Sequence, residues 1–281
     1  MSPTADAGLL GLDGKVAMVV GGGQGLGEAN ALHLARAGCA VAVVDIEADR
    51  AERVAASVRE LGRPATAIVA DVLDPAAVGA AVDATERSLG GLDVVVAVVG
   101  ASKFGGILEL TVDEWDRDQA RNLRYLFALT QASARSFVRR SVPGVIVATA
   151  TAGVADSMPY RSSYGAAKAG VVHFVRSMAV ELGEYGIRIN AVAPGLTVTP
   201  RVAGKMSPDV VATEQARIPL GRIGTPDDVA RVVVFLASDL ARHVTGATLP
   251  VDGGSTAAPN HDLGPSRAAS RRNRTALGLD S

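Results

Sequence analysis

The segment Val16–Gly27, which reads VAMVVGGGQGLG, decides the fold class. Its first five residues are apolar and mostly β-branched, which predicts a buried strand. The glycine-rich stretch that follows runs into Glu28–Ala37, where apolar residues recur at helical spacing. A strand, a glycine turn and a helix in this order predict the first unit of an open α/β sheet.

The same alternation of strand and helix continues along the chain. Helical patterns such as Glu47–Gly62 and Asp74–Gly90 lie between short apolar runs. Because these runs are apolar throughout, they predict parallel strands covered on both faces. We therefore expect an α/β protein with a single Rossmann-like, doubly wound parallel sheet and helices on both faces. The predicted strands are Val16–Val20, Ala40–Val44, Ala65–Val69, Val94–Val99, Val145–Ala148, Ile187–Val192 and Thr248–Val251.

The domain organisation is simple. No linker divides the 281 residues, so we expect one domain over residues 1–255. After Ser255 the composition changes to Ala, Ser, Arg, Asn and Pro. Residues 256–281 are therefore predicted to be a C-terminal tail, either mobile or laid across a neighbouring subunit.

Composition excludes several classes of function. The 28 basic and 29 acidic residues give a net charge of −1, which indicates neither a nucleic-acid nor an anionic-membrane partner. A single cysteine, Cys39, rules out an internal disulfide, and the spacing of the four histidines indicates no metal site. Residues 1–15 show no secretory signal and the apolar runs are strand-length, so a cytoplasmic protein is expected.

The glycine turn predicts a dinucleotide site. Glycines at 21, 25 and 27 permit a tight turn, and the following helix N-terminus offers N–H groups to a pyrophosphate. A glycine cluster alone can be only a turn, but its place between strand and helix favours the nucleotide. Asp45 ends the second strand, where an acid can bind the adenosine ribose or, alternatively, cap a helix. Its charge opposes the extra phosphate of NADP and Gln24 supplies no cation, so NAD is expected and NADP is less favoured.

Tyr164 and Lys168 are the candidate chemical residues. They lie four residues apart in a helical segment that extends to about Glu184, so phenol and ammonium share one helix face. A free tyrosine has a pKa of about 10, and a nearby ammonium would favour the phenolate. Such a pair on its own is often a surface contact, but this one follows the fifth predicted strand, where a doubly wound sheet places its ligand crevice.

Taken together, these motifs resemble the short-chain dehydrogenase/reductase family over about Leu12–Ser255. Val20 replaces the threonine that opens the family's glycine motif, and Val251–Gly254 matches the end of its last strand. Asn122 matches the asparagine of the catalytic tetrad, to which Tyr164 and Lys168 also belong. The resemblance implies cofactor contacts from Gly21, Gln24, Gly25, Leu26, Gly27, Asp45, Asp71, Val72, Gly100, Tyr164, Lys168, Pro194, Gly195, Thr197 and Thr199.

Two departures from the family pattern stand out. The family's Asn-Asn-Ala-Gly reads Ala97–Gly100 as AVVG, which puts local geometry in doubt more than chemistry. The family's substrate-orienting serine falls within Ala148–Gly153. Counting thirteen residues back from Tyr164 gives Thr151, whereas anchoring on Gly153 gives Ala150. Thr151 is the preferred residue because it carries a hydroxyl.

The implied activity is hydride transfer between NAD and a secondary alcohol or ketone. Tyr164 would exchange the proton, Lys168 would bind the nicotinamide ribose, and Thr151 would orient the substrate oxygen. Asn122 would hold a water linked to Lys168. The alternatives are non-redox acid–base chemistry on the same fold and an NAD-binding module without turnover. Residues expected near the substrate are Ser102, Ser157, Met158, Tyr160, Leu196 and the loop 202–218.

The resemblance also implies assembly, because members of the family are commonly tetrameric. The fifth long helix carries small or apolar residues suited to a helix–helix interface, and a homotetramer is expected. These residues are Ala166, Ala167, Ala169, Val172 and Val175.

Overall fold

A computed structural model describes residues 8–200, 202–204 and 206–258 of the protein. Within these ranges seven strands form one parallel sheet in the order β3-β2-β1-β4-β5-β6-β7. The predicted fold class is confirmed. The strands are β1 Val16–Val20, β2 Ala40–Asp45, β3 Ala65–Val69, β4 Val94–Ala97, β5 Val145–Thr149, β6 Arg188–Pro194 and β7 Thr248–Val251.

Helices cover both faces of the sheet and connect successive strands. A π-helical turn, Ala120–Arg124, joins α4 to α5. Several helices begin at side-chain caps that satisfy free backbone N–H groups; at α4, Thr111 and Glu114 form a capping box. The helices are α1 Gly25–Arg36, α2 Ala48–Glu60, α3 Pro75–Leu89, α4 Val112–Gln119, α5 Tyr125–Arg140, α6 Ser162–Gly183, α7 Pro208–Arg217 and α8 Pro226–Ala237.

The sheet separates two apolar cores. One packs α3, α5 and α6 against one face, and the other packs α1, α2 and α8 against the opposite face. β1, β2, β4, β5 and β6 are almost entirely buried, as predicted. The edge strands β3 and β7 are only partly buried, so the prediction that every strand is covered on both faces is wrong for these two. An edge strand has one neighbour and fewer helices above it.

Strand ends differ slightly from the prediction. β4 ends at Ala97 rather than Val99, because Val98 and Val99 turn into the loop that leaves the sheet. β6 extends to Pro194, two residues beyond its predicted end. Val98 and Val99 are apolar loop residues that continue the pattern of β4, whereas Ala193 and Pro194 prolong β6 by pairing with β7.

Fewer residues of α6 face outward than its sequence suggests. Ala167 and Val175 are fully buried within the subunit, so they cannot form the helix–helix interface predicted for them. Val172 is half-buried, whereas Ala166 and Ala169 are exposed.

The strand order reverses between β1 and β4, and this reversal positions the site. β1 and β4 are neighbours, but their connections leave towards opposite faces of the sheet. A crevice opens at their carboxyl ends, where doubly wound sheets bind nucleotides. Of the predicted tail, only residues 256–258 are described, and residues 259–281 lie outside the described residues.

Candidate active site

The glycine turn after β1 is built so that backbone groups come close together. Gly21 and Gly25 have positive φ angles of 81° and 58°, which side chains disfavour. A Cβ on Gly27 would overlap the carbonyl oxygen of Gly21, so α1 could not pack against the turn. The N-terminus of α1 therefore opens into the crevice, with its free N–H groups available to an anion.

Asp45 is held rigidly at the end of β2. It is 8% exposed, and its Oδ2 accepts a hydrogen bond of 2.9 Å from the Gly23 N–H. Its Oδ1 accepts one of 3.1 Å from the Glu47 N–H. The carboxylate is thus fixed by two backbone donors and turned to the same crevice as the glycine turn.

Predicted cofactor residues from five separate segments line one cleft of about 490 Å³. These residues are Gly21, Gln24, Gly25, Leu26, Asp45, Asp71, Val72, Gly100 and Thr199. A cleft with a helix N-terminus, a glycine turn and a fixed acid fits a dinucleotide. Gly27 and Pro194 are buried behind this wall, and Thr197 donates a hydrogen bond of 3.0 Å to the Gly195 carbonyl. Gly195 lines the neighbouring cavity instead.

Arg50 also lines the cleft, and sequence reasoning missed it. A Cβ on Gly23 would lie 2.6 Å from both the Arg50 Cβ and the Asp45 Oδ2, so the three residues are adjacent. Arg50 belongs to α2, five residues after Asp45, and in sequence it resembles any solvent-facing helical arginine. A cation therefore lies beside Asp45 in this cleft.

Lys168 is buried in the middle of the site. It is 2% exposed, and its Nζ donates a hydrogen bond of 2.7 Å to the Thr149 carbonyl. Burial lowers the pKa of its ammonium to about 8. Its Nζ lies 5.8 Å from the centroid of the Tyr164 ring, so the predicted pair does share one helix face.

Gly100 brings Lys168 and Asn122 together. A Cβ at Gly100 would lie 3.0 Å from Asn122 Oδ1 and 3.1 Å from Lys168 Nζ. Asn122 is fully buried, and its Nδ2 donates to the carbonyls of Ala101 at 2.7 Å and Asp118 at 2.8 Å. Its Oδ1 has no hydrogen-bond partner among the described residues. A buried acceptor of this kind is a site for an ordered water.

Thr151 is the hydroxyl-bearing neighbour of the Tyr164 phenol. Burial raises the pKa of that phenol, and the neighbouring Thr151 side chain and the charge of Arg161 oppose the rise. Ala150 is 2% exposed and packs in the apolar core beside β6. The structure therefore brings Thr151, not Ala150, to the phenol.

Asp118 is a second residue that sequence reasoning missed. It is fully buried on α4, accepts a hydrogen bond of 2.6 Å from Ser163 Oγ and one of 3.1 Å from the Lys103 N–H, and pairs with Arg121. Ser163 directly precedes Tyr164, so this carboxylate fixes the start of α6. Nothing in the sequence distinguishes Asp118 from the neighbouring exposed acids of α4.

A second cavity of about 980 Å³ is lined by residues around Gly153, by Gly195 and Leu196, and by α7. Ser157, Met158 and Leu196 line it as predicted, together with residues 213, 214 and 216–218 of the predicted loop. Tyr160 instead stacks on Phe104, with ring centroids 5.6 Å apart, and Ser102 does not line the cavity. Four charged side chains also line it: Asp156, Arg161, Glu214 and Arg217.

Comparison with known proteins decides the family. The family model described as enoyl-(acyl carrier protein) reductase matches residues 21–256. A cis-4-hydroxycyclohexanecarboxylate dehydrogenase from Sinomonas cyclohexanicum is 42% identical, over 86% of this chain and 97% of its own length. A protein named short-chain dehydrogenase/reductase eriH, from Hericium erinaceus, is 35% identical over 85% and 96%.

The chain belongs to the short-chain dehydrogenase/reductase family. It is an oxidoreductase of the CH–OH group that uses a nicotinamide cofactor.

Solved structures of this family agree with the fold. A short-chain alcohol dehydrogenase from Sinorhizobium meliloti has a TM-score of 0.85 and 32% identity, and covers 89% of this chain and 100% of its own. A 7α-hydroxysteroid dehydrogenase solved with NADH and 7-oxo glycochenodeoxycholic acid has a TM-score of 0.83 and 32% identity, over 88% and 96%. Among the described residues of our short-chain dehydrogenase, no cluster of His, Cys, Asp and Glu is arranged to hold a metal ion. No described helix is both long and apolar enough to cross a bilayer.

Proposed function

We propose that this short-chain dehydrogenase/reductase oxidises secondary alcohols with NAD, with Tyr164 as the acid–base group. The observation that carries the proposal is the placing of the Tyr164 phenol next to Thr151, with the buried Lys168 Nζ 5.8 Å from the centre of the Tyr164 ring. Thr151 directly precedes Ala152 and Gly153, which line the larger cavity, and Lys168 lies against Gly100, which lines the nucleotide cleft. The relatives named above as dehydrogenases support redox chemistry over non-redox acid–base work or binding alone.

NAD is preferred over NADP in this proposal. Asp45 stands at the end of β2 with both carboxylate oxygens fixed, and its charge opposes a phosphate on the adenosine ribose. Arg50 partly offsets this repulsion because it lines the same part of the cleft. The chain therefore discriminates between the cofactors less sharply than Asp45 alone would predict.

Each catalytic residue then has a separate task. Tyr164 accepts the alcohol proton as the carbinol carbon loses hydride, and Thr151 orients the substrate oxygen. Lys168 is held by the Thr149 carbonyl, with its remaining N–H donors free for the ribose of the nicotinamide half. Asn122 holds a water through its unpartnered Oδ1, which links Lys168 to solvent. When bound, the cofactor supplies the hydride acceptor, so that alcohol and NAD⁺ give ketone, NADH and one proton.

A screen of secondary alcohols with NAD and NADP tests the proposal. Reduced-nicotinamide absorbance should rise with at least one cyclic or linear secondary alcohol, and faster with NAD. Tyr164→Phe should abolish turnover while the NADH dissociation constant changes little, because the phenol's proton is lost and the ring is kept. Turnover of Tyr164→Phe at the wild-type rate would contradict the acid–base role assigned to Tyr164.

The same proposal includes the setting of the enzyme. The substrate is a small alcohol or ketone, the location is the cytoplasm, and the active form is a homotetramer. The near-zero net charge of −1 supports the absence of a nucleic-acid partner.

A further inference from the structure

Arg161 is a cation on the wall of the larger cavity, three residues before Tyr164. Its guanidinium carbon lies 6.0 Å from the centroid of the Phe104 ring, and its backbone N–H donates to the Met158 carbonyl at 3.1 Å. An aromatic face beside the guanidinium restricts its orientation without occupying its N–H donors. The side chain is therefore positioned and still able to bind a ligand.

Charge pairing sets Arg161 apart from the other cation of this cavity. Arg217 is paired with Glu214 at 3.3 Å, whereas Arg161 forms no ion pair within the described part of the chain. Asp156 also lines the cavity and, like Arg161, is exposed, but its carboxylate accepts a hydrogen bond of 2.7 Å from the adjacent Ser157 N–H. The unpaired positive charge of the cavity is thus on Arg161.

The charge of Arg161 also acts close to the reacting group. It lowers the pKa of the Tyr164 phenol against the effect of burial, which places cation and phenol within electrostatic reach. A substrate oxygen held by Tyr164 and Thr151 would leave the rest of the substrate in the cavity that Arg161 lines. An anionic group a few bonds from the carbinol carbon would then reach the guanidinium.

We propose that Arg161 binds a carboxylate of the substrate, so that the enzyme favours hydroxy acids over neutral alcohols. This inference rests on the proposed function and adds a substrate class to it. A guanidinium presents two parallel N–H donors to a carboxylate, which fixes the acid and aligns the carbinol with Tyr164. A neutral amide of the same shape accepts only one such bond and lacks the charge.

A matched series of alcohols tests the substrate class. The three probes are 3-hydroxycyclohexanecarboxylate, its carboxamide and 3-aminocyclohexanol, each compared by kcat/KM with NAD. The acid should exceed the amide by roughly 10- to 100-fold, the usual effect of a hydrogen-bonded charge pair. Equal values for acid and amide would overturn the proposal. A preference for the amine would also overturn it and would assign recognition to Asp156.

Arg161 variants identify the residue responsible. Arg161→Met should reduce the acid-to-amide ratio to near one, and Arg161→Lys should retain part of it because it keeps the charge but not the planar donors. The readout is the ratio of kcat/KM for the acid to kcat/KM for the amide. Loss of Arg161 also changes the pKa of the Tyr164 phenol, but this change affects both probes. Arg87→Met is the matched control, since Arg87 is exposed on α3 outside both cavities, and it should leave the ratio unchanged. If the acid-to-amide ratio fell to near one in Arg217→Met but not in Arg161→Met, the assignment of carboxylate binding to Arg161 would be wrong.

A binding measurement separates this inference from the proposed function. Cyclohexanecarboxylate and cyclohexanecarboxamide are titrated into the enzyme–NADH complex, where no turnover occurs. The carboxylate should bind more tightly than the amide, and Arg161→Met should remove the difference. If no alcohol is oxidised, the proposed function fails and this titration still decides the role of Arg161. If neutral alcohols are oxidised and the titration shows no difference, the proposed function stands and the inference fails.

Discussion

At the scale of single residues, the chemistry depends on whether Thr151 supplies the hydroxyl that the family normally takes from serine. Thr151→Ala should lower kcat roughly 10²- to 10³-fold, because one donor to the developing oxyanion is lost. Thr151→Val should behave similarly, and Thr151→Ser should retain most activity. Steady-state kinetics with NADH binding as a control will separate chemistry from cofactor affinity. Normal turnover in Thr151→Ala would require another hydroxyl, such as Thr149 or Ser157, to orient the substrate.

Cofactor choice depends on two opposed charges, Asp45 and Arg50. Asp45→Ala should bring the dissociation constants of NAD and NADP together, because it removes both the repulsion of the 2′-phosphate and a ribose acceptor. Arg50→Met should increase the difference between the two dissociation constants, because it weakens the binding of NADP and not that of NAD. Both constants are measured by titration at one ionic strength. NADP binding as tight as NAD in the wild type would contradict the assigned role of Asp45.

Lys168 predicts a specific pH dependence of stability. Its pKa is about 8 in the folded protein and near 10.5 in the unfolded chain, so the unfolded state binds more protons between these values. Its contribution to the free energy of unfolding therefore rises with pH from about 8 to 10.5. Burial raises the pKa of Cys39 and Tyr125 and gives the opposite trend, but both are present in Lys168→Met. The wild-type minus Lys168→Met difference, from urea denaturation, should increase across this range; a flat difference would contradict the lowered pKa.

Sequence reasoning succeeded at residues whose role follows from their own chemistry and spacing. The glycines at 21, 25 and 27 predicted a tight turn, and Gly21 and Gly25 form it with positive φ angles. It preferred Thr151 to Ala150 although two anchors counted differently, and the structure separates the two by the packing of Ala150 in the core and the position of Thr151 beside the phenol. It missed Arg50 and Asp118 because their neighbours come from other elements. Tertiary contacts of this kind leave no local pattern.

At the scale of elements, the start of α6 depends on α4 and the π-helical turn. Gln119 Nε2 donates to the Ser163 carbonyl at 2.8 Å, and the Asp118 carboxylate accepts from Ser163 Oγ. These two contacts fix the residue before Tyr164 from two sides. The sequence predicted the helix that carries Tyr164, but not that a buried charge joins its first turn to α4.

Asp118→Asn tests this junction. The substitution keeps the shape but leaves Arg121 without its carboxylate, and we expect a loss of about 2 kcal/mol, below the value for a fully buried pair because Arg121 is 27% exposed. Turnover should fall with little change in NADH affinity, since Tyr164 loses its fixed position. Removing both charges in Asp118→Leu/Arg121→Leu should recover part of the stability but not the turnover. Thermal denaturation and kinetics measure the two effects; equal turnover in Asp118→Asn and wild type would show that Asp118 does not position Tyr164.

At the scale of the whole molecule, the exposed apolar residues of α6 and α5 form a narrow strip on the surface. Ala166 and Ala169 are exposed, and Val180 is 83% exposed near the other end of the helix. On α5, Phe127 is 51% exposed and Val138 is 43% exposed. The sequence analysis also placed Ala167 and Val175 on this face, but both are buried inside the subunit. Helical periodicity was clear, yet it could not separate the sheet-facing side from an outer side that is also rich in small residues.

The prediction for this strip is assembly into a homotetramer, most simply with dihedral symmetry. Light scattering at micromolar concentration should show a tetramer, and Val180→Glu should reduce its mass because a charge would be buried between subunits. Leu61→Glu is the matched control, since Leu61 is 41% exposed after α2 and away from this face. A strictly monomeric wild type would refute assembly. Deleting Ala257–Ser281 tests the tail separately: unchanged mass and activity would indicate a mobile tail, whereas dissociation would indicate that residues 259–281 cross to a neighbouring subunit.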